Sequence, residues 1–175
     1  MTRELKLYPA ERHWWSFNDY RAVLGVVVQL QPATVLEFGP GSSTLALLEG
    51  GAGHIDALED DAKWIAVNSN LLLEHAARVS LIPYVWADPL AIPAIDARRY
   101  DLALIDGPRT TENRVAVLEY CLTRAAAVLM PLEESADRHG QGYLRPHVMA
   151  AAARHGRSVA LIESGPLSGT FALLT

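Results

Sequence analysis

The sequence has little of what would tie a protein to a disulfide framework, a membrane or a nucleic acid. It holds one cysteine in 175 residues, Cys121, so an internal disulfide and a cysteine-based metal cluster are both excluded. Cys121 lies in an apolar helical stretch and reads as a core residue. No run approaches the roughly 18 uncharged apolar residues of a membrane-spanning helix. Residues 1–11 are charged and carry no apolar stretch of signal-peptide length. A soluble, cytoplasmic chain with no membrane partner is the expectation. A basic surplus is missing too: 15 Lys and Arg stand against 20 Asp and Glu, a net charge of -5. A duplex binder neutralises phosphates with an excess of basic residues, so a nucleic-acid partner is disfavoured. Repeats, low-complexity tracts and linkers are absent. We therefore expect a single domain over residues 1–175, with residues 1–31 forming an N-terminal arm and helix.

What is present is a large apolar fraction, half of the chain, enough for a full-sized core. From residue 34 onward strand and helix patterns alternate. That alternation favours an α/β fold with a mostly parallel sheet covered on both faces. Helices are expected at 16–30, 44–49, 61–75, 111–124 and 144–155. In the third, Trp64, Ile65, Leu71 and Leu72 share one face. Strands are expected at 34–38, 54–58, 79–86, 101–105, 125–132, 158–163 and 170–174, seven in all. Pro83 cannot donate to a ladder, which sends the third strand to an edge of the sheet. Gly165, Pro166 and Gly169 separate the last two strands, which read as a closing hairpin.

The most informative segment runs Val35-Leu36-Glu37-Phe38-Gly39-Pro40-Gly41-Ser42-Ser43-Thr44. A buried strand enters a glycine turn and a helix follows. Glycines let a ligand approach the backbone, and a helix start offers free N–H groups. In a doubly wound sheet such a turn lies in the ligand crevice at the carboxyl ends of the strands. A dinucleotide fingerprint needs a third glycine, where this chain has Thr44, and a Walker-type loop needs a Gly-Lys-Ser/Thr ending, which is absent. Glu37 stands before the first glycine. Its carboxylate repels phosphate and suits a cationic ligand with an amino group. A second acid, Glu59, ends the next strand, where a carboxylate can accept the hydroxyls of a ribose. Asp60 and Asp61, which follow it, read mainly as helix caps, with Asp60 also within reach of a bound nucleoside.

These residues together resemble the class I S-adenosylmethionine-dependent methyltransferases. Glu37-Phe38-Gly39-Pro40-Gly41-Ser42-Ser43-Thr44 is similar to the family's first motif, and Glu59 to its second-strand acid. Asp88 stands where the family often places an acid beside the adenine amino group. The run from Tyr100 to Pro108, ending Leu-Ile-Asp-Gly-Pro, looks like the fourth-strand motif. The resemblance covers residues 20–175. It implies a Rossmann-like seven-stranded sheet with an edge third strand and an antiparallel last strand. It also implies S-adenosylmethionine as cofactor, held by residues 37–43, Glu59, Asp60, Asp88 and Asp106.

Methyl transfer asks the protein for positioning and often for a base. Asp106, at the tip of the fourth strand, can bind a metal, orient the acceptor or act as base; an Asx-type turn bond is the plainer reading. Arg109 can grip an acidic or hydroxyl-rich acceptor, or stand solvated at the surface. The Asp-Gly-Pro-Arg run resembles a branch acting on sugar or carboxylate-bearing acceptors. Glu133 and Glu134 offer oxygen ligands for a divalent ion beside Asp106, but the Asp-Asn pair and lysine of metal-dependent relatives are missing, so a metal is not favoured. His139, in a glycine-rich stretch with Tyr143, has the pKa of a general base. Trp14 and Trp15 can close over a ligand, pack the arm, or make a contact between identical chains. Trp64 can flank an adenine or fill core. The expectation is an enzyme that methylates oxygen on a small molecule or sugar. The rivals are a nicotinamide-dependent oxidoreductase and a non-catalytic adenosyl-binding scaffold.

Overall fold

In the computed structural model, residues 17–87, 89–108, 110–132, 144–163 and 170–175 are described. The chain order is α1 (Phe17–Leu30), β1 (Thr34–Phe38), α2 (Ser42–Glu49), β2 (His54–Glu59), α3 (Ala62–Leu71), β3 (Val79–Pro83), β4 (Tyr100–Ile105), α4 (Thr111–Leu122), β5 (Ala125–Leu132), α5 (Arg145–Arg154), β6 (Val159–Glu163) and β7 (Thr170–Leu174). A short 3-10 turn, Leu73–His75, follows α3.

The strands form one seven-stranded sheet in the order β3-β2-β1-β4-β5-β7-β6. Every pair from β3 to β5 is parallel, and β7 runs antiparallel to both of its neighbours. Near-continuous apolar runs such as Tyr100–Ile105 suit strands covered on both faces. On one face, Val23, Val26 and Val27 of α1 and Ala46 and Leu47 of α2 pack on Val35, Ile55 and Leu104. On the other, Val117, Leu118 and Cys121 of α4 and Val148 and Ala151 of α5 pack on Leu36, Ala103 and Val128. Ile92 and Ile95 join this second core as the chain crosses from β3 to β4. No described helix is long and apolar enough to cross a membrane.

The sheet grows outward from β1 to β3 and then from β4 in the opposite direction. The reversal leaves a crevice between the tips of β1 and β4, where connecting helices leave for opposite faces. Register sets the level of that crevice. Phe38 pairs with Leu58 on one side and Ile105 on the other. The residues after these three, Gly39, Glu59 and Asp106, therefore stand side by side.

Several boundaries differ from the sequence reading. β3 stops at Pro83 instead of Trp86; Pro83 still pairs with Glu59 at the sheet edge. α2 opens at Ser42, so Ser42 and Ser43 belong to its first turn. α3 ends at Leu71, and of its expected apolar face Trp64, Ile65 and Leu71 are part-buried while Leu72 is buried just beyond the helix. The buried residue within α3 is Asn68, because the helix sits toward the β3 edge, where there is less sheet to cover. Leu104, paired with Glu37 and with Leu129 at the middle of the sheet, is wholly enclosed. Leu104→Ala is expected to cost about 2–5 kcal/mol, read as a lower urea midpoint at unchanged slope; a loss well below that range would contradict its central packing.

Candidate functional site

The turn after β1 is fixed by backbone bonds. The Phe38 carbonyl accepts the amides of Asp106 and Gly107, both at 2.9 Å, and the Gly39 amide donates to Leu58 O at 3.0 Å. Gly39 has a φ of 81°, a region that L side chains rarely adopt. A Cβ there would stand 2.9 Å from Gly107 N and 3.2 Å from Asp106 C. The turns after β1 and β4 thus pack backbone to backbone, and Asp106 is brought against the glycine turn. The Gly107-Pro108 peptide is cis.

Glu37 lies beneath this turn with none of its surface exposed. The sequence placed it at a strand tip; the structure places it one layer deeper. The Thr44 hydroxyl donates to Glu37 Oε2 at 2.7 Å and accepts the Gly41 amide at 2.9 Å. Thr44, where a dinucleotide fingerprint would have glycine, is therefore the relay between buried acid and loop. Ser43 faces the same carboxylate and favours its charged form, yet it does not reach hydrogen-bond geometry: Ser43 Oγ and Glu37 Oε1 are both buried without a partner. Burial pushes the Glu37 pKa up to about 8; the Ser43 and Thr44 hydroxyls pull it back, and the nearby Asp106 charge adds to the rise. Among the described residues no cation pairs with Glu37.

Glu59 ends β2 and is nearly buried. Its Oε1 accepts the amides of Asp60 and Asp61, both at 3.0 Å. Burial dominates in lifting its pKa to about 7, and the adjoining Asp60 adds to this while the two amides oppose it. Asp61 caps α3 by accepting from the Lys63 amide at 2.8 Å, as the capping reading expected, and Asp60 is exposed beside it.

Three residues hold these turns without having stood out as site residues in the sequence. Asn68 is fully enclosed and its Nδ2 donates to Pro40 O at 3.1 Å. Arg114, also buried, donates from Nε to Pro108 O at 2.7 Å and from Nη2 to Asp106 O at 3.1 Å. Tyr84 lies beside Glu59 and Asp60. For Asn68 the available signal was an amide in the middle of a helix face otherwise expected to be apolar; for Arg114, a cation in the first turns of a helix, where the dipole disfavours it.

Of the expected cofactor residues, the structure brings together Glu37, Gly39, Pro40, Gly41, Ser42, Ser43, Glu59, Asp60 and Asp106. Phe38 is in place, but its ring belongs to the core, edge-on to Tyr84 and Tyr120; what it can offer a ligand is backbone. Asp88, Arg109 and His139 lie outside the described residues, as do Trp14, Trp15, Glu133, Glu134 and Tyr143. Among the described residues no group of three or more His, Cys, Asp or Glu could hold a metal ion.

No protein-family model and no curated protein matches the sequence. Solved structures do. Rv0187 from MTB, solved with cofactor bound, is 24% identical with a TM-score of 0.73, the match covering 93% of this chain and 81% of that one. An O-methyltransferase from Bacillus cereus in complex with SAH is 21% identical with a TM-score of 0.73, covering 95% and 83%. TomG, an O-methyltransferase from Streptomyces achromogenes involved in tomaymycin synthesis and solved with SAM, is 17% identical with a TM-score of 0.70, covering 91% and 80%. At these identities the likeness establishes the fold: a Rossmann-like methyltransferase architecture.

The buried acid has a measurable consequence. A carboxyl whose folded pKa exceeds its unfolded one binds more protons when folded, so its contribution to stability falls as pH rises from about 4.5 to about 8. Glu59 slopes the same way up to about 7. Urea titrations should show Glu37→Gln losing less stability than the unaltered protein between about pH 5 and about pH 8; parallel profiles would mean that Glu37 is ionised throughout.

Proposed function

We propose that the chain binds S-adenosylmethionine in the crevice between β1 and β4 and methylates an oxygen of a small molecule or sugar. The observation that carries this reading is the gathering of acids around a glycine turn, Asp106 and Glu59 at strand tips and Glu37 enclosed beneath the turn. Glu37 and Asp106 converge on the Gly39–Gly107 contact, and Glu59 stands one strand away. A pyrophosphate would meet the Asp106 carboxylate and lie above the buried Glu37. A nucleoside with an ammonium and a sulfonium group would be attracted by them.

The residues fit such a ligand. Glu37 Oε1 and Ser43 Oγ are buried polar atoms that lack a partner, and a buried acceptor without a donor is costly. The turn 39–43 and Asp106 would hold the amino-acid end, Glu59 and Asp60 the ribose, and Asp88 the adenine amino group. Because Glu37 is enclosed, it acts through the Thr44 hydroxyl that orients the Gly41 amide, and through its charge once a bound cation draws off its proton. The bound cofactor supplies an activated methyl group. The protein's part is to orient the acceptor oxygen, exclude water and take its proton. Asp106 is assigned that place at the crevice, with its backbone steadied by Arg114. Arg109 would grip the acceptor, and His139 is the second candidate base. The same architecture in O-methyltransferases solved with SAM or SAH supports this reading.

Calorimetry tests the cofactor half. S-adenosylhomocysteine should bind in the micromolar range and NAD should not; tight NAD binding alone would reverse the choice. Gly39→Ala, whose added carbon meets the Gly107 backbone, should weaken S-adenosylhomocysteine binding by roughly tenfold or more. Asp106→Ala tests the chemistry. With radiolabelled methyl donor and a panel of phenolic, sugar and carboxylate acceptors, it should keep S-adenosylhomocysteine affinity within about twofold and lose roughly a hundredfold or more in turnover. Undiminished turnover removes Asp106 from the mechanism.

A further inference from the structure

Tyr84 follows the last residue of β3, and its amide donates to Glu59 O at 3.1 Å. Pro83 and Glu59 are register partners, so this bond sets Tyr84 beside Asp60. Its ring is part-buried against the core and stands edge-on to Phe38, with centroids 5.8 Å apart and planes at 87°. Among the described residues its hydroxyl has no hydrogen-bond partner. Burial, with Asp60 and then Glu59 adding to it, holds the phenol well above its usual range, so it remains an O–H donor at any working pH.

The local inventory is therefore unequal. Glu59 Oε1 is taken by two amides. That leaves Oε2 and the neighbouring Asp60 carboxyl, which interact with each other and can both accept when ionised, beside a phenol that can donate. A vicinal diol matches this set: its hydroxyls can donate to carboxylates while one of their oxygens accepts. Phe38 makes the placement rigid, because the tyrosine ring rests on a wholly enclosed side chain rooted in β1.

We infer that Tyr84 completes a diol-binding subsite with Glu59 and Asp60, its hydroxyl donating to a ribose hydroxyl oxygen of the bound nucleoside. The inference rests on the cofactor reading above and adds to it a specificity-determining residue at the edge of the sheet. Without the phenol hydroxyl, the acids alone would accept any pair of donors. With it, the subsite also requires an acceptor oxygen at a set position.

Tyr84→Phe keeps the ring and its contact with Phe38, so an unchanged thermal midpoint is expected. Calorimetry should be run on the unaltered protein and the variant with S-adenosylhomocysteine and with its 2′-deoxy and 3′-deoxy analogues. The variant should bind S-adenosylhomocysteine about tenfold more weakly. For one of the two deoxy analogues, the unaltered protein and the variant should bind alike, because the partner of the phenol is gone. Equal S-adenosylhomocysteine affinity for both proteins overturns the Tyr84 inference alone. An equal loss with all three ligands also overturns it, since Tyr84 would then act on the base or by packing. Failure of the unaltered protein to bind S-adenosylhomocysteine overturns this inference and the cofactor reading together.

Discussion

A single carbonyl organises the crevice. Phe38 O accepts the Asp106 and Gly107 amides together, and this clasp holds the tips of β1 and β4 at one level. The close approach it enforces is possible because Gly39 carries no side chain. From that junction follow the position of Asp106 beside the glycine turn and the place of Glu37 beneath both. Arg114 and Asn68 then secure the outer carbonyls of the two turns. The local backbone is tied from several directions before any ligand arrives, which is what a preorganised site requires.

The sheet contains two deeply buried acids with opposite surroundings. Asp56 on β2 receives Arg98 Nη1 at 2.5 Å and the Tyr100 hydroxyl at 2.7 Å. An arginine answers its charge through Oδ2, although its Oδ1 is buried without a hydrogen bond, and the cluster belongs to the scaffold. Glu37, one strand away, is met by hydroxyls and by the repulsion of another acid. Leaving a carboxylate so poorly answered is unfavourable to folding. Such a cost is common where a protein keeps a place for something it binds.

Much of this was legible in the chain. The strand, glycine turn and helix at 34–49, the acid at the end of β2, and the edge position forced by Pro83 all came from local chemistry. Depth was harder to read. The run Glu37-Phe38 shows a strand end, but not that the carboxylate is enclosed and the ring committed to the core, since that depends on what packs from Tyr84 and Tyr120. Thr44 was noted for the glycine it replaces, whereas its role comes from a hydroxyl bridging two residues earlier in the chain. Asn68, Arg114 and Tyr84 act on residues 6 to 46 positions away. Partners so far removed have no periodicity to betray them. Tyr84 in particular was absorbed into an expected strand that in the structure stops at Pro83, just before it.

The placement of β7 between β5 and β6 bears on how the chain assembles. β6 precedes β7 in the sequence but bonds to the sheet solely through it. During synthesis, β1 to β5 can pair as soon as each emerges, whereas β6 must wait for a later segment to reach back across it. Until then one side of β5 stays unpaired. That interval is when one half-built copy is most open to borrowing a strand from another.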